Sequence, residues 1–383
     1  MRTNASSGER VESGISSSQP GSTGGDAPGA IVSSPARPSK SGRITSFLRT
    51  HPKLCLFLLT PGIAEYLSGS SPMYLLVLSP FYFGLQLALN TGLYLPGALL
   101  IREAMIRWKK GWASVLLLGA AYGILEEGIA LGTLFNTSPV SYGNPTSYGQ
   151  WLGVSWVWAV EAIPLHMIFS ITLPILLLGL ALPSTRGKSL LRSRRSLISA
   201  GAILGADVVL IYLLLTVHLH HTSIGWPLLG LSALAIGALV VAARLAPARI
   251  LEPRTDGPRV SPLVSFVLGA VVVAYIYVVG PVGVSLNLPA VVTALAMVAL
   301  LAFYLFLALE TLGRGGNTKQ LLAYSLGLIA FPMVAGAAVQ IFLPLVLVFD
   351  VAALLLFRRL WRNLGKGSDG PLQPYQNEGS LHA

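Results

Sequence analysis

Residues 117–132 read LLGAAYGILEEGIALG. The stretch is apolar and helical in character, yet it holds two adjacent carboxylates, Glu126 and Glu127. Gly119 and Gly123 stand four apart, and so do Gly128 and Gly132. That spacing lets the backbones of neighbouring helices come close. Inside a lipid bilayer a carboxylate costs several kcal/mol unless it is protonated, paired or bound to a cation. Whether the stretch lies in a bilayer therefore decides how the whole chain is read.

Composition answers that question. Of 383 residues, 53% are hydrophobic and only 11% charged, and the mean hydropathy is +0.69. A soluble domain carries about 25% charged residues. The apolar excess falls in runs of about 20 residues, each long enough to cross about 30 Å of hydrocarbon. Ten spans can be laid out: 54–67, 73–101, 112–134, 151–182, 197–217, 226–243, 262–280, 289–309, 321–335 and 339–357. All 26 Lys and Arg then fall before the first span or after spans two, four, six, eight and ten. By the positive-inside rule both termini face the cytoplasm. The expected fold is an all-α polytopic bundle of five hairpins in the cell membrane. Its membrane domain covers residues 43–366. Residues 1–42 and 367–383 read as disordered tails, the first because its Ser, Gly and Pro cannot bury enough surface to offset the entropy of ordering. The net charge of +11 serves topology, and no nucleic-acid partner is expected. One cysteine, Cys55, excludes an internal disulfide and a cysteine-rich metal site.

Six of the fifteen acids lie within spans: Glu65, Glu126, Glu127, Glu161, Asp207 and Asp350. No Lys or Arg lies there to neutralise them. At about 1.5 Å per residue, Glu126 stands roughly 21 Å above the inner end of its span and His166 roughly 24 Å above the inner end of the next. The two spans form one hairpin, so the Glu pair and the histidine share a level. Glu161 lies nearer the outer surface. Glu161 and His166 are about 140° apart on a regular helix, a separation that a bend at Pro164 changes. Ser170 shares the face of His166. A Glu and a His at one depth suit half a metal site, a proton or ion route, or a neutral core histidine bonded to one of the glutamates.

An intramembrane Glu-Glu followed roughly forty residues later by a helical His resembles the CPBP family of intramembrane metalloproteases (CAAX protease and bacteriocin-processing). That family's motifs are EExxxR, FxxxH and HxxxN/D. Glu126-Glu127 match its glutamate pair, and His166 matches its second-motif histidine. His218, His220 or His221 falls near the distance of the third. The Arg position holds Leu131, the Phe position holds Ala162, and no Asn or Asp follows the late histidines. The resemblance implies Glu127 as the water activator with Glu126 in support. It implies His166 as a ligand of a zinc ion, and a membrane peptide or protein as substrate; Glu161, on the same span as His166, is a further candidate metal ligand. Residues 97–136, with GALLIREA, LGAAYGILEEG and FN, are also similar to prokaryotic multi-pass membrane proteins that bring no activity with the match.

The remaining features read structurally. Trp151, Trp156 and Trp158 open span four, and Trp108 and Trp112 flank span three, as interface anchors do. The polar loop 135–150 is an outer loop or a lid over the Glu pair. HLHHTS, residues 218–223, is a wet loop or a metal-capturing one. Arg102 and Glu103 are expected to bond locally. No phosphate-binding loop, dinucleotide fingerprint or serine-hydrolase elbow is present. Three classes stay open: an intramembrane metal-dependent hydrolase, a cation- or proton-coupled transporter, and a scaffold whose Glu pair only fastens helices.

Overall fold

A computed structural model describes residues 50–135, 148–218, 224–248, 250, 260–312, 318–339 and 346–363. Both expected tails, most of the loop 135–150 and most of HLHHTS lie outside the described residues. The described chain is a succession of helices with one two-residue β-hairpin, β1 (Gln150–Trp151) and β2 (Val154–Ser155).

The first rod is α1 (Pro52–Pro61), which widens into the π-helical turn π1 (Gly62–Tyr66). A short α2 (Leu75–Leu78) leads into α3 (Pro80–Arg107). Next come α4 (Trp112–Ile124) with π2 (Leu125–Ala130), and α5 (Trp156–Leu165), π3 (His166–Thr172) and α6 (Leu173–Ala181) end to end. Then follow α7 (Arg194–Leu213) with π4 (Leu214–His218), α8 (Trp226–Leu245), α9 (Pro262–Ser285), α10 (Ala290–Leu312), α11 (Thr318–Val339) and α12 (Val346–Asn363).

Proline at the first or second position starts α1, α3, α8 and α9, where its missing N–H is harmless. Ser193 and Ser261 cap α7 and α9 through their hydroxyls. Among the described residues, eight helices are long and apolar enough to cross a membrane. The chain is a multi-pass helical membrane protein. The ten rods match the ten expected spans in order, but the first and last fall short of the crossing criteria. Pro52–Tyr66 is shorter than the roughly 20 residues a crossing needs. The last rod carries Asp350, Arg358, Arg359 and Arg362. Helix α11 also runs on through the expected break at 336–338 to Val339, the first residue assigned above to the tenth span.

The glycine pairs do what their spacing suggests. A Cβ on Gly119 would stand 3.2 Å from the Cα of Met167, and one on Gly123 would stand 3.1 Å from the Cα of Ile163. These two residues press α4 directly onto the backbone of α5 and π3. Gly128 meets Ser232 of α8, and Gly132 takes a φ of +71° that only glycine adopts cheaply. The core around Tyr94, Leu118, Tyr122, Ile171 and Leu178 is therefore built on a closely packed hairpin, with α1, α3, α7 and α8 around it.

Candidate functional site

Three of the four π turns each carry a titratable residue to one place. Proline accounts for two of them. Pro61 ends α1, and Pro164 lies inside α5 two residues before His166. A proline in a helix removes one i to i−4 bond and crowds the carbonyl four residues back, so the next turn widens. Within π3 the hydroxyl of Thr172 caps the Met167 carbonyl at 2.7 Å. Turn π2 follows the close-packed Gly123 and contains Gly128. Wide turns of this kind are rare and recur at functional sites.

The side chains from these turns form one connected chain. His166 Nε2 lies 2.7 Å from Oε1 of Glu127. His166 Nδ1 lies 2.8 Å from Oε2 of Glu126 and 3.0 Å from the Ser170 hydroxyl. The Tyr94 hydroxyl of α3 is 2.6 Å from Oε1 of Glu126 and also contacts Oε1 of Glu65. Ser71 donates to Glu65 at 2.7 Å, and Gln86 and Asn90 each donate to the Ser71 oxygen at 2.9 Å. At the far end, the Trp158 indole donates to Oε2 of Glu127 at 3.1 Å, and the Thr133 hydroxyl donates to the same oxygen. The Tyr122 hydroxyl lies toward Glu126 without the alignment of a regular hydrogen bond. Glu126 and Glu127 are buried, and Glu65 is half-buried.

Counting along each helix from its basic end, Glu65, Tyr94, Glu126, Glu127 and His166 all stand about 20 to 23 Å up. The chain therefore runs in the plane of the membrane rather than across it.

The expected pairing of Glu126 or Glu127 with His166 is present on both sides. On a regular helix, adjacent residues point about 100° apart, which would turn only one glutamate toward the histidine. The structure differs because the histidine ring offers two nitrogens on separate edges, and each glutamate takes one. Glu161 is buried on α5 and interacts electrostatically with Tyr277 of α9. A zinc ligand needs a bare ring nitrogen about 2.0–2.1 Å from the ion. Both nitrogens of His166 already face carboxylates, and among the described residues no three of His, Cys, Asp and Glu stand as a metal-holding group. As arranged, these side chains do not fit a zinc ion.

Sequence reading left out Tyr94 and Thr133, and it gave Trp158 only an anchoring role. Glu65 is visible in the sequence as an intramembrane acid, with nothing there to tie it to Glu126. A tyrosine among apolar residues carries no comparable signal. Asp207 packs its carboxylate into a notch at Gly92 of α3, where a Cβ would stand 2.7 Å from Oδ1. Among the described residues, its other oxygen and one oxygen of Asp350 accept no hydrogen bond.

Toward the basic end, a second polar group closes the bundle. Glu103, fully buried, accepts bonds from Ser189 at 2.6 Å, Leu190 N at 2.6 Å and Leu191 N at 3.1 Å. It also pairs with Arg102 at 3.6 Å and Arg107 at 3.4 Å. Arg102 donates to the Thr185 carbonyl at 2.5 Å, and Arg107 donates to that of Leu191 at 2.6 Å. Arg186 reaches back to the Gly179 carbonyl at 2.8 Å, and burial pushes its guanidinium below its ordinary value. The loop between α6 and α7 is thus strapped onto α3.

No protein-family model, no curated protein and no solved structure matches this chain.

Proposed function

We propose that the protein is a proton-coupled membrane transporter and that the Glu65–Tyr94–Glu126–His166–Glu127 chain is its coupling site. The observation that supports this is the proton count of the chain. Tyr94 has one proton but contacts two carboxyl groups, so one of those carboxyls must itself donate to the tyrosine oxygen. His166 Nε2 faces Glu127 and its Nδ1 faces both Glu126 and the Ser170 hydroxyl, so the ring is an imidazolium, or a neutral imidazole whose bare nitrogen takes a proton from a carboxyl or from Ser170. Moving each proton one place along leaves an equally bonded chain, with a proton gained at one end and given up at the other. Acids without basic partners, set deep in the membrane on interrupted helices, are the usual form of such sites. An in-plane chain suits a store that is loaded and unloaded as the protein changes shape.

A second reading is favoured by one contact. Glu127 against His166, with the likeness to CPBP proteases, supports a hydrolase in which Glu127 draws a proton from water. Both oxygens of Glu127 are engaged by His166, Thr133 and Trp158, which weighs against a free base in this conformation.

The test is potentiometric proton uptake by the folded, detergent-purified protein on going from alkaline to acidic pH. Hydrogen exchange at the three π turns is followed in parallel. The wild type takes up more protons than Glu126→Gln, and exchange at the turns changes with the uptake. Equal uptake by the two proteins with unchanged exchange overturns the coupling reading. Cleavage of a membrane-embedded peptide by the wild type, lost in Glu127→Gln, replaces it with the hydrolase.

A further inference from the structure

Far from the acidic chain, α9, α11 and α12 enclose an apolar cleft of about 390 Å³. Each helix gives one wall at helical spacing: Phe266 and Leu263 from α9, Leu322 and Leu326 from α11, Leu354 and Phe357 from α12. Its origin is local. Helices α9 and α11 cross backbone to backbone, because a Cβ on Gly269 would collide with the Tyr324 carbonyl and one on Gly327 with that of Phe266. Helix α12 cannot enter that crossing and stands off from it.

The cleft is at the basic end of the bundle. Pro262, the first residue of α9, lines it, as do Arg358 and Trp361 in the last two turns of α12. Arg358 is exposed and makes no hydrogen bond or ion pair among the described residues. The one acid on α12, Asp350, lies two turns away, about 12 Å along the axis. Arg359 and Arg362 bring two more guanidiniums to the same end.

We propose that this cleft binds an anionic glycerophospholipid, with an acyl chain along the apolar walls and the phosphate on Arg358. Its volume falls in the range of formed ligand sites. An apolar trough with an unpaired guanidinium at its mouth matches the two halves of such a lipid, and basic pockets between membrane helices select anionic head groups in this way. Trp361 sits at the junction, the height where an indole is at home. The proposal does not depend on the coupling reading.

The test is native mass spectrometry of the full-length protein in detergent, offered equal phosphatidylglycerol and phosphatidylcholine. The wild type retains phosphatidylglycerol in preference. Arg358→Gln lowers that preference about five-fold, the worth of one basic side chain near a membrane surface, while total bound lipid stays the same. Leu354→Trp fills the trough from an exposed position and removes lipid of both kinds. Equal retention of the two lipids by the wild type overturns the proposal, as does bound lipid unchanged in both variants. Dimerisation abolished by Leu354→Trp would overturn it in favour of a second copy of the chain.

Discussion

The hairpin of α4 through α6 and the outlying helices α8 and α10 answer to different rules. The hairpin's two crossing helices are 61% and 56% buried, with mean hydropathies of 1.4 and 2.1. Helices α8 and α10 are each 11% buried, with hydropathies of 2.1 and 2.6. The most apolar helix is thus among the most exposed, the reverse of a soluble protein. Lipid is as apolar as leucine, so burial against protein gains little from the hydrophobic effect. Close backbone approach and internal hydrogen bonds hold the interior instead, and glycines, wide turns and acids gather there. In α8 and α10 the helices are regular, and their large side chains face outward.

The largest expected effect tests whether the polar chain holds the hairpin together. Replacing His166 by Leu leaves Glu126 and Glu127 buried without the ring that separates them. Removing one partner of a buried charged group costs roughly 3–5 kcal/mol. Unfolding of His166→Leu by a denaturing detergent should show a loss of that size, shrinking at acidic pH where each carboxyl can discharge by taking a proton. A loss below that of a simple cavity mutant would mean the chain contributes nothing to cohesion.

The cavity mutant is next in size. Leu178 of α6 is fully buried in the hairpin core. Leu178→Ala leaves a void that neither lipid nor water fills readily. With the transfer contribution reduced by the lipid surroundings, the cost should sit near the low end for such changes, about 2 kcal/mol. The same unfolding titration reads it.

The fold was largely legible before any coordinates. Hydropathy runs located every rod, and Glu126, Glu127 and His166 came together because equal depth in one hairpin leaves few other arrangements. The parts that stayed hidden share a cause. Widened turns depend on how a proline or a glycine pair is absorbed by its neighbours, so Pro61 and Pro164 marked bends without telling which face would result. Tyr94 is one apolar-looking residue among many until α3 is placed beside π1. Trp158 begins its helix as an anchor would, but it points inward because the preceding hairpin, β1–β2, turns the chain before α5.

Trp158 gives a smaller and more local test. Its indole is half-buried and donates one bond to Glu127. Trp158→Phe keeps a ring at the position and removes the donor. A hydrogen bond to a charged group is worth roughly 1.5–3 kcal/mol. Thr133 still serves the same oxygen, so the loss should lie at the lower end, about 1.5 kcal/mol. No loss would return Trp158 to the anchoring role that its position suggested. The double variant with Thr133→Val should lose more than the two single losses added, because Glu127 Oε2 then has no donor.

The smallest effect is the sharpest check on the contrast between the two regions. Leu295 of α10 is 64% exposed, on a helix that is mostly lipid-facing. Leu295→Ala removes the same atoms as Leu178→Ala. At Leu295, however, acyl chains close over the gap, so neither a cavity nor a lost apolar contact remains. The expected change is within about 0.5 kcal/mol, the range for substitutions away from any packed or polar feature. Both variants belong in the same lipid–detergent mixture, so that only surroundings differ. Equal losses at the two positions would mean that α10 packs against protein, most simply another copy of the chain, and its exposed face would then be an interface. A loss at Leu178 alone means that interior packing, and not apolarity, distinguishes the helices that carry the acids from those that shield them.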